Sequence, residues 1–145
     1  MKYIIIIALA LSSEAQALCL PSQTATSFHC VKFLRAHDGD TFTVDIDNAP
    51  PLFGKKISVR IKGIDTPEMT SAVKCLKDKA RAAKLFLETI VKGANKIDLL
   101  NVGRDKYFRI LANVSIDGLD LGSMLIDQKL AHKYDGGQKE SWVCP

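Results

Sequence analysis

The stretch "HDGDTFTVDI" at residues 37–46 joins a short acidic turn to an alternating run. The apolar members of this run are Phe42, Val44 and Ile46. Because side chains alternate between the two faces of a strand, this spacing predicts a strand with one buried face. The turn itself needs only Asp38 and Gly39, since Gly accepts positive φ and Asp accepts hydrogen bonds within its own turn. Asp40 is therefore a surplus carboxylate at the start of the strand, and its presence requires a separate explanation.

Further strands are predicted on both sides of this run. One precedes it over residues 28–36, and another alternates over residues 57–62 after a Pro-rich break at 48–51. Two more are predicted over residues 96–102 and 109–116. The chain thus has five predicted strands, three of them before its longest helix.

That helix is predicted from apolar residues spaced three and four apart. They are Val73, Leu76, Ala80, Ala83, Leu87 and Ile90. This spacing places them on one face of a helix, which Gly93 ends. A shorter helix is predicted over residues 121–131. The order of elements favours an α+β fold, a five-stranded β-barrel of the oligonucleotide-binding (OB-fold) type with two or three helices.

The N-terminal residues have the composition of an export signal. Lys2 is followed by an unbroken apolar run at 3–11, and residues 15–17 are Ala-Gln-Ala, the small-residue pattern of a cleavage site. The run is too short to span a bilayer as a helix of the mature protein. We therefore expect residues 1–17 to be a signal peptide and the protein to be exported, periplasmic or secreted, without a stable membrane anchor. A buried N-terminal strand or helix is the alternative.

The rest of the chain is predicted to form a polar segment at 18–27 and one domain at 28–145. We expect this domain to be monomeric. Its cysteines are Cys19, Cys30, Cys75 and Cys144. An even number in an oxidising compartment predicts two disulfides, with three possible pairings between which the sequence does not choose. The net charge of +4 is compatible with a polyanionic partner but does not establish one.

A second acidic segment, "GIDTPE" at residues 63–68, follows the third predicted strand. If the second and third strands form a hairpin about the loop at 50–54, Asp40 lies opposite Asp65. Opposed Cβ atoms are about 4.5–5.5 Å apart, a distance at which two carboxylates repel unless a cation lies between them. We expect a hard divalent cation bound by both aspartates and the backbone oxygen of Thr66, with water and substrate completing its shell. Two ordinary solvated aspartates are the alternative.

The remaining candidate groups supply a base and ligands for phosphate. Glu68 follows Pro67, and the fixed φ of Pro67 sets the direction of Glu68. Glu68 can accept a proton from an attacking water. Arg60 and Arg109 carry planar guanidinium groups that suit phosphate oxygens, and a phosphodiester gains negative charge in its transition state. Each arginine alone is better explained by a surface salt bridge. The convergence of all these groups favours phosphodiester hydrolysis.

Three segments together carry a family resemblance. "DGDT" at 38–41, "RIKGIDTPE" at 60–68 and "RDKYFR" at 104–109 resemble, in order and in separation, the signature segments of the staphylococcal (thermonuclease, micrococcal) nuclease family. The similarity covers about residues 31–134. It implies an OB-fold barrel that uses one calcium ion to hydrolyse DNA and RNA with little sequence preference, leaving 3′-phosphate ends. Mg²⁺ and Mn²⁺ remain alternative ions.

The resemblance also implies a role for each matched residue. It implies calcium binding for Asp40, Asp65 and Thr66, catalysis for Arg60, Glu68 and Arg109, and substrate binding for Lys106, Tyr107 and Tyr134. The family usually has Gly where this chain has Phe108, so a turn with positive φ would be strained and would shift the arginine that follows. A non-catalytic nucleic-acid-binding barrel is the alternative function. Retention of the acidic residues and both arginines favours the nuclease.

Overall fold

The computed structural model describes residues 19–144. Its strands are β1 (Ser22–Gln23), β2 (Ser27–His29), β3 (Lys32–Ala36), β4 (Thr41–Asp45), β5 (Ile57–Ile61), β6 (Ile64–Asp65), β7 (Ile97–Arg104), β8 (Ile110–Ile116), β9 (Leu119–Asp120) and β10 (His132–Lys133). Its helices are α1 (Pro51–Gly54), α2 (Lys74–Gly93) and α3 (Leu121–Asp127). None of these helices combines the length and the apolar character needed to cross a membrane. The predicted signal peptide lies outside the described residues.

Eight of the strands form one sheet in the order β1-β2-β7-β8-β5-β4-β3, with β9 paired to β8. All of its ladders are antiparallel except that of β5 with β8. A second, two-stranded ladder joins β6 to β10. The predicted α+β class with two or three helices is confirmed. Within residues 19–144, strand pairing leaves the sheet open between β1 and β3 and does not close it into a barrel.

The core lies between the sheet and α2. Along β8 every second side chain is buried, as the alternating sequence predicted. From the sheet, Phe42, Val44 and Val59 are fully buried; on α2, Ala83 and Leu87 are fully buried too. The predicted helical stripe is therefore confirmed at its centre, although Val73 precedes the helix and is exposed.

Two disulfides are present, as the cysteine count predicted. Cys19 is bonded to Cys30, with the Cα atoms 5.7 Å apart. Cys75, at the start of α2, is bonded to Cys144, with the Cα atoms 6.1 Å apart. The described part of the chain contains no free cysteine. The second bond holds the C-terminal segment against α2.

The predicted hairpin register between the second and third strands is wrong. Thr41 pairs with Arg60, which places Asp40 level with Ile61, and the Ile61 amide donates to the Asp40 carbonyl over 2.8 Å. The loop contains the helical turn α1, so it is not a symmetrical connection. After β5, Gly63 adopts a φ of +83° and the chain turns out of the main sheet into β6. Asp65 consequently reaches Asp40 from a different ladder.

The first predicted strand is also divided. Residues 28–36 were expected to form one strand, but β2 ends at His29 and β3 begins at Lys32. Between them Cys30 has a φ of 57°, which no regular strand contains. This break lets β2 pair with β7 while β3 pairs with β4.

Gly39 is required for space, not for backbone conformation. Its φ is outside the left-handed region, so the turn does not use the positive φ that Gly accepts. A Cβ at this position would lie 2.5 Å from the Cβ of Ala83 on α2 and 3.1 Å from the Cγ2 of Thr66. The acidic turn therefore packs directly against α2 and against the loop that follows β6.

We expect Gly39→Ala to lower the free energy of unfolding by about 1–3 kcal/mol, the usual cost of overpacking. Chemical denaturation of the purified variant measures this change. Gly103→Ala is the matched control, because a Cβ on Gly103 has no neighbour within 4 Å. Equal stability of the two variants would show that the turn can move away from α2 at no cost.

Candidate active site

Asp40 and Asp65 meet through a single guanidinium. They are among the least exposed charged residues, at 4% and 3%. Arg60 forms an ion pair with Asp40 through one terminal nitrogen, and its other terminal nitrogen lies 3.5 Å from Oδ1 of Asp65. The second nitrogen also donates to the carbonyl oxygen of Ile64 over 3.1 Å. The pocket thus contains two buried carboxylates on one half-buried cation.

Hydrogen bonds fix Asp40 between two segments. Its Oδ2 accepts from both the backbone amide and the hydroxyl of Thr66, each over 3.0 Å. Its Oδ1 accepts from the hydroxyl of Thr41, also over 3.0 Å. Because Asp40 precedes β4 and Thr66 follows β6, these bonds join the two acidic segments that the sequence singled out.

Arg60 retains its charge in this environment. Burial lowers the pKa of its guanidinium, and the negative charge of Asp65 opposes that change. Arginine is effectively always protonated in proteins, so the side chain keeps its charge at neutral pH. A charged Arg60 balances only one of the two carboxylates.

The second neutralising charge comes from Lys139. Its Nζ lies 2.8 Å from Oδ1 of Asp65 and 3.3 Å from Oε1 of Glu68. The hydrogen bond to Asp65 raises the pKa of Lys139 above its ordinary value, although burial acts in the opposite direction. Sequence reasoning missed this residue, because nothing in its local pattern indicates a contact with β6.

The oxygen donors fit a hard divalent cation. Carboxylates and backbone carbonyls are the ligands that Ca²⁺ and Mg²⁺ prefer, and here a lysine ammonium already lies on Asp65 in the role of a cation. Within residues 19–144, no group of three or more His, Cys, Asp or Glu side chains is arranged to hold a metal. An ion on Asp40 and Asp65 would therefore need further oxygens from Thr66, water and substrate.

Arg109 is oriented by Asp105. Its Nε donates to Oδ2 of Asp105 over 2.6 Å, its backbone amide donates to Oδ1 over 3.0 Å, and its Nη1 lies 3.5 Å from the hydroxyl of Thr41. Burial raises the pKa of Asp105, but hydrogen bonds from Arg109 and from the Tyr107 amide outweigh it and lower the pKa overall. Asp105 was also missed, because i,i+4 spacing signals an ion pair only on a helix and these residues lie in a turn.

Phe108 is strained as expected, but it does not displace the arginine. Its φ is 63°, and its side chain is 81% exposed. The turn is closed by the Phe108 amide, which donates to the carbonyl of Asp105 over 3.1 Å. Arg109 still reaches the cleft from the next position. The strain is therefore confined to the turn.

We expect Phe108→Gly to raise the free energy of unfolding by about 1 kcal/mol, since only Gly adopts this backbone region without steric cost. Thermal unfolding measures it as a rise of roughly 4 °C in Tm. Phe108→Ala is the control, because Ala removes the ring but keeps the Cβ that causes the strain. An equal gain in both variants would assign the cost to the exposed ring.

One cleft of about 980 Å³ collects most of the candidate residues. They are Asp40, Arg60, Glu68, Lys106, Tyr107, Arg109 and Tyr134. Asp65 and Thr66 are buried beside it. Tyr107 is exposed, and Nζ of Lys106 and Cζ of Arg109 lie 5.1 and 5.5 Å from the centre of its ring. The cleft therefore combines carboxylates, cations and an aromatic face.

Comparison with known proteins identifies a family and a relative. Residues 58–141, more than half of the chain, match the family model of staphylococcal nuclease homologues. Endonuclease YncB of Bacillus subtilis (strain 168) is 34% identical over 99 residues, which cover 67% of this chain. The chain spans only 44% of the length of that relative. Arg60, Asp65, Glu68 and Arg109 lie within the family match, whereas Asp40 precedes it.

Proposed function

Because the chain belongs to the family of staphylococcal nuclease homologues, we propose that it is a nuclease that hydrolyses phosphodiester bonds of DNA, RNA or both. The name of the relative, an endonuclease, supports this proposal. The observation that carries it is the cleft itself, in which Asp40, Glu68 and two arginines line one space. A domain that only binds nucleic acid gains nothing from acidic groups there, since they repel phosphate.

We propose that Asp40, Asp65 and the backbone oxygen of Thr66 hold one calcium ion, with Mg²⁺ or Mn²⁺ as alternatives. The choice of residues rests on their hard oxygen atoms and on the two buried carboxylates, which already attract the cations Arg60 and Lys139. When bound, such an ion supplies positive charge to a phosphate oxygen. Phosphate binding and proton transfer are assigned to side chains of the chain itself.

The two arginines would bind the phosphate. Arg109 is already oriented by Asp105, so little side-chain freedom is lost when it binds. Arg60 forms ion pairs with Asp40 and Asp65. It can therefore bind the phosphate only when another cation neutralises those two carboxylates. Donors placed in advance around the developing charge lower the barrier to hydrolysis. Lys106, Tyr107 and Tyr134 line the same cleft and are proposed to bind the nucleotide.

Glu68 is the proposed general base. It is exposed at the rim of the cleft, where it can hold a water and accept its proton. The water oxygen forms a bond to phosphorus while the bond from phosphorus to the 5′-oxygen breaks. The leaving 5′-oxygen takes up a proton from solvent, and the phosphate stays on the 3′-oxygen. The products therefore carry 3′-phosphate and 5′-hydroxyl ends.

We also propose that the protein acts outside the cytoplasm, in a periplasm or the medium. Two disulfides within one small domain support this proposal, because such bonds persist in oxidising compartments. The composition of residues 1–17 supports it independently.

Chelation is expected to abolish cleavage, and added calcium is expected to restore it. Purified protein is incubated with single-stranded and duplex DNA and RNA across a panel of metals, and the ends of the products are analysed. Hydrolysis that continues in excess chelator would reject the role of the ion. Binding without cleavage under every condition would instead favour a domain that only binds nucleic acid.

A further inference from the structure

The segment at residues 137–144, which we call the C-terminal strap, contains no helix or strand, yet it covers Asp65. Both oxygens of that carboxylate contact the strap. Oδ1 lies 2.8 Å from Nζ of Lys139, and Oδ2 accepts a hydrogen bond from Nε1 of Trp142 over 3.4 Å. The strap therefore occupies the face of Asp65 that an incoming ion needs.

Several contacts hold the strap in this place. The disulfide from Cys144 to Cys75 anchors its end on α2. Lys79, one turn further along α2, donates to the carbonyl of Val143 over 3.0 Å. In the middle, the ring of Trp142 stacks on His132 of β10, with centroids 3.7 Å apart and planes 7° apart. A segment anchored in this way keeps Lys139 at a high local concentration next to Asp65.

A lysine and a divalent cation cannot both occupy Asp65. The carboxylate is 3% exposed, so its charge is little screened by water and a second cation within a few ångströms of the ammonium is strongly repelled. An ion pair between two exposed side chains would contribute little free energy, but in the pair of Lys139 with Asp65 the carboxylate is buried. Ion binding must then displace Lys139. The free energy of ion binding is therefore reduced by the free energy of the ion pair between Lys139 and Asp65.

We propose that the strap is an autoinhibitory segment, in which the Lys139 ammonium occupies the place of a divalent cation on Asp65 until such a cation displaces it. The inference rests on the proposed function, because it concerns the same acidic pair. Its consequence is a weaker apparent affinity, since the ion binds only those molecules in which the tethered lysine has left Asp65. The anchor at Cys144 keeps the displaced lysine close, so the exchange is reversible.

The first test compares calcium binding by Lys139→Gln, Lys133→Gln and wild type, measured by titration calorimetry on oxidised protein. We expect Lys139→Gln to lower the Kd for calcium about tenfold, a typical coupling between two ligands of one site. Lys133 is the matched control, because it is a nearby lysine on β10 that forms no ion pair among the described residues. Its replacement removes the same charge and is expected to change the Kd less than about threefold.

A second measurement follows the strap directly. Trp142 is the only tryptophan in the chain, so its emission reports on the strap alone. Calcium is expected to change this emission in wild type, because the ion takes the carboxylate oxygens that Trp142 and Lys139 contact. Joint replacement of Cys75 and Cys144 by Ser releases the anchor and is expected to tighten calcium binding, as Lys139→Gln does.

The outcomes separate this inference from the proposed function. If wild type and Lys139→Gln bind calcium equally and both cleave nucleic acid, the strap proposal fails while the nuclease stands. Weaker binding by Lys139→Gln would overturn it as well, since the lysine would then assist the ion. If neither protein binds calcium, the proposed role of the ion fails, and the strap proposal fails with it.

Discussion

Glu68→Gln is expected to lower kcat by at least about a hundredfold, the usual contribution of a general base. Glutamine keeps the shape and the exposure of the side chain but cannot accept a proton from water. Nucleic-acid binding should remain close to that of wild type, since the arginines and the acidic pair are unchanged. Single-turnover cleavage of a labelled oligonucleotide at saturating calcium measures the rate, and binding in chelator measures the affinity.

Glu88→Gln is the control for that experiment. Glu88 lies on α2, pairs with Lys92 and does not line the cleft. Its replacement should leave the rate unchanged. Full activity in Glu68→Gln would remove this residue from the mechanism and leave the attacking water without an assigned base.

Asp40→Asn is expected to reduce calcium-dependent cleavage by at least about a hundredfold, equivalent to nearly 3 kcal/mol of transition-state stabilisation. The amide is isosteric, but it removes the charge that would hold an ion and that pairs with Arg60. Loss of this charge-assisted partner should also lower the free energy of unfolding by about 2 kcal/mol. Initial rates across a calcium titration separate weaker ion binding from a slower reaction.

Asp47→Asn provides the comparison for Asp40→Asn. Asp47 forms only surface pairs, with Lys32 at 2.6 Å and Lys55 at 3.3 Å. Such pairs contribute at most about 1 kcal/mol, so cleavage and its calcium dependence should remain as in wild type. An unchanged calcium dependence in Asp40→Asn would exclude this aspartate as an ion ligand.

The parts of the fold that depend on local pattern were predictable from the sequence. The alternation in β4 and β8 and the apolar stripe on α2 each express the periodicity of one element, and all three elements are present. The prediction of one buried face is confirmed for β8 but wrong for β4, because Thr41 and Thr43 on its polar face are buried as well. The register between β4 and β5 was not predictable, because it depends on the helical turn α1, and the path of Asp65 was not predictable, because it depends on the turn at Gly63. These are small irregularities that shift every pairing beyond them.

Asp40 and Asp65 were predicted to lie close together, but the reason given for that prediction was wrong. Asp40 and Asp65 were placed opposite each other in one hairpin, but the structure brings them together through Arg60 from two ladders. Lys139 and Trp142 were missed altogether. Their positions depend on the pairing of Cys75 with Cys144, one of three that the cysteine count allowed. Contacts so distant along the chain carry no local sequence signal.

A crystal structure determined in calcium, with diffraction recorded where calcium scatters anomalously, tests the central claim most directly. The account predicts one anomalous peak in contact with the carboxylates of Asp40 and Asp65 and with the backbone oxygen of Thr66. The account would be contradicted if the peak lay elsewhere on the chain, no ion contacted Asp40 or Asp65, and the same protein cleaved nucleic acid.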